Sequence, residues 1–147
     1  MQQFDFSKAR EQLKQETIQQ FNISDSKFDE LSEISVIALK KTIQNHVLKN
    51  GTDELKELLL LKKESANALL VKNAIKDLEM VLLPDLKTNA QSFSQFVVNQ
   101  MTQKLVKAFQ ASGHPKNLDG ICLFLNIDKN LIKLANSKMG RFFGKFR

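Results

Sequence analysis

The sequence predicts an all-α fold, a compact bundle of about six or seven helices. Three observations predict it. Apolar residues recur at steps of three and four along most of the chain. Two prolines and five glycines punctuate it, too few for the many turns of a sandwich or barrel. Apolar residues make up 42% of 147 positions, enough for a core that needs neither metal nor disulfides. A single domain over 1–139, followed by a basic phenylalanine-rich tail at 140–147, is the simplest organisation.

A first helix is expected over 6–21, with Leu13, Thr17, Ile18 and Phe21 as a thin apolar stripe. Asn22, Ile23 and Ser24 interrupt it. Ser24 or Ser26 can cap the next helix, and Ser26 with Asp29 has capping-box spacing. That helix, 27–49, carries Phe28, Leu31, Val36, Leu39, Ile43 and Val47 in one stripe, widened by Ile34, Ile37 and Leu48. So broad an apolar surface predicts contact on more than one side. Asn50 and Gly51 form a left-handed stop.

Thr52 can cap a short helix over 53–62, with Asp53 and Glu54 in its first turn and Leu55, Leu58, Leu59 and Leu61 buried. Ser65 can cap another over 66–83, with Leu70, Val71, Ala74, Ile75, Leu78, Val81 and Leu82 inward. Pro84 should end it at Leu83.

Thr88 and Gln91 have capping-box spacing for the central helix, 91–112. Its Phe93, Phe96, Val97, Met101, Leu105, Ala108 and Phe109 share one face. His114 and Pro115 make a turn. Asn117 can cap a short helix over 118–125, and Asp128 a last one over 129–138. The central helix, the 28–47 stripe and the 70–82 stripe should form the core.

The two halves echo each other. In each, a long amphipathic helix meets a glycine, Gly51 or Gly113, then a polar step and a short apolar helix starting at Leu55 or Leu118. Two similar halves, or the common look of helix–turn–helix units, both account for this.

Several short stretches carry a family resemblance. They are Ile23-Ser24-Asp25, then Asn50-Gly51 with Leu55-Lys56-Glu57-Leu58-Leu59, and Val71-Lys72-Asn73. To these add the run from His114 through Pro115, Lys116, Asn117, Leu118, Asp119 and Gly120 to Ile121, and Gly140-Arg141-Phe142-Phe143-Gly144-Lys145. The chain resembles the small all-helical bacterial proteins of the YidB-like kind, whose function is unknown. The resemblance implies a helical fold and transfers no active site.

The chain shows no phosphate loop, GxGxxG, nucleophile elbow or HExxH. His46 and His114 lack a ligand partner at helical spacing, so each is expected at a helix end or turn, and no metal is expected. A charged His46 would suit the end of its helix. Asp53, Glu54 and Glu57 cluster, which an acid/base pair would need, but Glu57 with Lys56 and Asp53 on a short surface helix is more simply a solvated face. Cys122, the only cysteine, lies in an apolar run and should be a buried thiol. No catalytic residue and no cofactor are expected.

The N-terminal residues lack the apolar segment of a signal peptide. The longest apolar runs, 58–61 and 121–125, fall far short of the ~20 residues that span a bilayer. A cytoplasmic location is the simplest expectation.

The net charge of +6 is unevenly placed, because residues 101–147 hold nine basic and two acidic side chains. Lys129, Lys133, Lys138, Arg141, Lys145 and Arg147 alternate with apolar residues that include Phe142, Phe143 and Phe146. These nine residues are the candidates for binding an anionic partner. Lysine attraction and apolar burial would add at an anionic membrane surface, and phosphate contacts with ring stacking would serve nucleic acid. Equally, the rings can fold back on the bundle, which Gly140 and Gly144 favour, each weakening a helix by about 1 kcal/mol. The leading expectation is a protein without catalysis, acting through contacts with a second copy of itself or with another protein.

Overall fold

The computed structural model describes residues 3–128 and 130, and among these the chain is helical with no strand. The helices are α1 (Phe6–Gln12), α2 (Lys14–Phe21), α3 (Asp25–Asn50), α4 (Asp53–Leu59), α5 (Leu69–Leu86), α6 (Ala90–Ala111) and α7 (Leu118–Leu125). Single 3-10 turns lie at Ser65–Asn67 and Lys87–Asn89. The expected all-α bundle is the fold. The helix expected over 129–138, apart from Asn130, the 140–147 tail and all nine candidate residues from Lys129 to Arg147 lie outside the described residues.

α6 runs through the middle. Its Phe93, Val97, Val98, Met101, Leu105 and Phe109 are buried. It packs most extensively on α5, which itself packs on α3. Edge-on aromatic pairs tie the periphery to this centre: Phe21 meets Phe93 at 5.1 Å between centroids, and Phe109 meets Phe124 of α7 at 5.2 Å. The Phe4 N–H donates to the Phe124 carbonyl at 2.7 Å, which lays the N-terminal segment beside α7. Cys122 is buried in α7, as its apolar run predicted.

The local stop and start signals that worked are side chains bonded to their own helix. Ser24 Oγ accepts the Lys27 N–H at 3.1 Å and starts α3. Asn117 Oδ1 accepts the Gly120 N–H at 2.9 Å and starts α7. Thr52 stands before α4 but makes no side-chain cap bond.

Several expectations require correction. The first helix is broken at Leu13, so that Phe6 and Ala9 on one side and Leu13 and Thr17 on the other all reach the bundle. Pro84 does not end α5, which continues to Leu86. Pro84 and Met80, whose carbonyl the ring leaves without its N–H, both lie on the exposed face, where water can serve that carbonyl. The Thr88 capping box does not form; Asn89 precedes α6 without a side-chain bond, after a sharp turn at Lys87 with φ 51°.

On α3 the inward face holds Ser32, Ser35, Thr42 and His46 beside Phe28, Leu31, Leu39 and Val47. The hydroxyls are satisfied: Ser35 Oγ donates to the Leu31 carbonyl at 2.7 Å, and Thr42 Oγ1 to Asp77 Oδ2 at 3.1 Å. Ile37, counted from sequence as part of the apolar surface, is 61% exposed. The two long-helix–short-helix units are both present. Their glycines differ, however, since Gly51 has φ 78° while Gly113 is not in the positive-φ region.

Candidate functional site

α4 ends at Leu59, three residues earlier than its leucines predicted. The cause is a Schellman motif: the Leu61 N–H donates to the Leu58 carbonyl at 3.2 Å, and the Lys62 N–H to the Glu57 carbonyl at 2.7 Å. The residue in the left-handed position is Leu61, at φ 59°. Glycine or asparagine normally stands there, and a leucine costs about 1 kcal/mol more. Leu61 also remains 68% exposed.

Beyond this turn the chain passes α6 and leaves a groove of about 690 Å³. One wall is formed by Leu58 and by Leu61 through Ser65; the other is the Thr102, Gln103, Val106, Lys107 and Gln110 face of α6. Gln110 Nε2 donates to the Leu59 carbonyl and ties the two walls together. Leu58, Thr102 and Val106 also line a smaller apolar slot of about 60 Å³ that reaches toward Leu70, Val98 and Leu105.

Behind the groove lies a polar knot. Glu54 accepts the Leu70 N–H at the start of α5 and a Lys63 Nζ bond at 3.1 Å. Its side chain is only 15% exposed. Burial raises its pKa, but the N–H bonds from Leu70 and Leu69 and the Lys63 ammonium outweigh this and hold the carboxyl below its ordinary value. Lys63, bonded to that carboxylate and near Glu57, is held above its own ordinary value.

His46 faces this knot from α3, with Nε2 3.9 Å from Glu54 Oε1 and Nδ1 3.4 Å from Asn50 Nδ2. It stands near the end of α3, as expected, yet it is buried. Burial pushes its imidazole below the ordinary value, and the Glu54 charge does not restore it. The favourable charged histidine at a helix end is therefore not what forms. Burying a charge with one distant partner costs more than the dipole returns.

A different surface is apolar. The last turns of α5 expose Met80 at 68%, Val81 at 49% and Leu83 at 52%, next to exposed Pro84. Val81 was expected inward; it stands half-exposed beside Leu82, which is fully buried, so it lies at the edge of the packed face of α5 and not in it. Lys76 and Glu79 flank the strip one turn apart.

Among the described residues no three His, Cys, Asp or Glu side chains are placed to hold a metal ion. No helix there is long and apolar enough to cross a membrane. The basic side chains of the C-terminal third that are described are partly committed. Lys116 Nζ donates to the Phe109 carbonyl and stands 4.3 Å over the Phe109 ring, so it closes the end of α6. Lys104 Nζ donates to Gln12 Oε1 at 3.2 Å.

Sequence reasoning missed Glu54 and the groove. Both are made by residues distant in the chain, and the one local trace, a fourth consecutive leucine followed by two lysines at 61–63, has no meaning until the turn is formed. Comparison with family models, curated proteins and solved structures found no match.

Proposed function

We propose that the protein is a small cytosolic helical module without catalysis, which acts by associating with a second copy of itself through the end of α5. The observation that carries this reading is the exposed strip Met80, Val81 and Leu83 on a helix whose other side is packed in the core. Apolar side chains grouped on a rigid element gain by being covered. A two-fold contact is self-complementary there, because Lys76 and Glu79 bring both signs to the same flank. The YidB-like resemblance belongs to the same reading and adds no site.

Light scattering across a concentration series tests it. The wild-type chain should form dimers, and Met80→Lys with Leu83→Lys should weaken the association at least about tenfold. A wild-type chain that stays monomeric at high concentration would remove this reading.

The alternative is a peripheral contact with an anionic membrane surface or nucleic acid through Lys129, Lys133, Lys138, Arg141, Phe142, Phe143, Lys145, Phe146 and Arg147. It is favoured by the nine basic and two acidic side chains of residues 101–147. Salt-sensitive co-sedimentation with anionic liposomes that disappears on deletion of 140–147 would support the membrane form of it. Binding unchanged by that deletion would take the tail out of the account.

A further inference from the structure

We infer that the groove between the Leu61 turn and α6 is a binding site for a single-chain amphiphile with a carboxylate head, of the free fatty acid class. Four features point to it. The groove volume of about 690 Å³ suits a small ligand. Leu58 and Leu61 on one wall and Val106 on the other give it apolar surface. Thr102 adds no free hydroxyl to it, since Oγ1 donates to the Val98 carbonyl at 2.7 Å. A second slot of about 60 Å³, lined almost wholly by apolar side chains, shares Leu58, Thr102 and Val106 with the groove and offers room for the far end of an alkyl chain. From Thr102 to Gln110 the α6 wall is about 12 Å long, the span of a medium-length chain.

The rim sets the charge of the head group. Lys62, Lys63 and Lys107 stand there against Glu64. Lys63 is taken by Glu54 and Glu57, at 3.1 and 3.7 Å. Lys62 and Lys107 are exposed, one on each wall, and bring positive charge to both sides of the opening.

Leu61 is the strongest pointer. The chain closes α2 at Asn22 with φ 52° and α7 at Asn126 with φ 55°, using the residue that tolerates this conformation. Lys87, with φ 51° after α5, and Leu61 depart from this choice, and Leu61, strained and exposed, stands on the wall of the groove. Backbone strain retained at an apolar surface is accounted for by what the side chain covers when a ligand is present.

The test is calorimetric titration of the full chain with monomeric dodecanoate, with dodecyl maltoside as a neutral head on the same chain. The expected result is saturable binding of dodecanoate at one site, clearly tighter than that of the maltoside. Lys62→Glu with Lys107→Glu, both on exposed positions, should weaken it about tenfold or more. Leu61→Asn should make the fold more resistant to urea while weakening dodecanoate binding, a pair of opposite effects that a merely structural leucine would not give.

Absence of saturable binding below the micellar range would overturn the inference. So would equal binding of the two amphiphiles, or dodecanoate binding unchanged in both variants. Attachment to anionic phosphatidylglycerol vesicles without uptake of monomeric dodecanoate would also overturn it, by assigning the lysines to a membrane surface.

Discussion

The Glu54 carboxylate accepts the backbone N–H of Leu70, 16 residues further along the chain. A side chain of α4 thereby caps α5. The residue at the local cap position, Ala68, has no side chain that could do so. The expected cap, Ser65, instead belongs to a separate 3-10 turn. The negative charge also suits the positive end of an 18-residue helix.

Replacing Glu54 with Ala should therefore cost about 2 kcal/mol, the worth of a charged hydrogen bond and a helix cap. Glu54→Gln keeps an acceptor and should lose less. Urea unfolding of the two variants checks this. Equal stability of Glu54→Ala and wild type would mean that α5 is capped in some other way.

His46 predicts how stability changes with pH. Burial holds its folded value below the 6.5 of the unfolded chain. The unfolded state then binds more protons below that pH, so stability is complete above 6.5 and falls as pH drops toward the folded value. Glu54 acts in a lower window. Its folded value lies below 4.5, so its contribution is present above 4.5 and is lost as pH falls through the folded value. Unfolding midpoints measured across this range should decline in acid, and His46→Gln should flatten the upper part of the decline. A midpoint that rises on acidification from neutrality would contradict the buried neutral histidine.

Gly120 sits where α7 crosses the turn after His114. A Cβ there would lie 1.8 Å from the Pro115 carbonyl oxygen, a backbone atom held by the same turn. Gly120→Ala should destabilise by about 3 kcal/mol, through displacement of α7 from Phe109 and its neighbours. Thermal unfolding measures it. A variant as stable as wild type would show that α7 docks less closely than this.

The sequence by itself determined the helical class and most of the inward pattern. Phe93, Val97, Met101, Leu105 and Phe109 repeat at helical spacing and are buried. Ser24 and Asn117 start the helices that follow them, because each bond is made within three residues. Signals of this kind depend only on neighbours in the chain.

The tertiary structure decided the rest. It carried α5 through Pro84, since packing of Leu78 and Leu82 outweighs one missing bond on the wet side. It drew His46 inside and gave Glu54 the N–H of Leu70. It also turned Leu61 into the wall of a groove. The candidate residues from Lys129 onward were chosen by charge alone and lie outside the described residues, whereas Glu54 and the groove needed two helices brought together. A cap across 16 residues or a cleft between α4 and α6 has no periodicity to read, because its parts become neighbours only when the bundle closes.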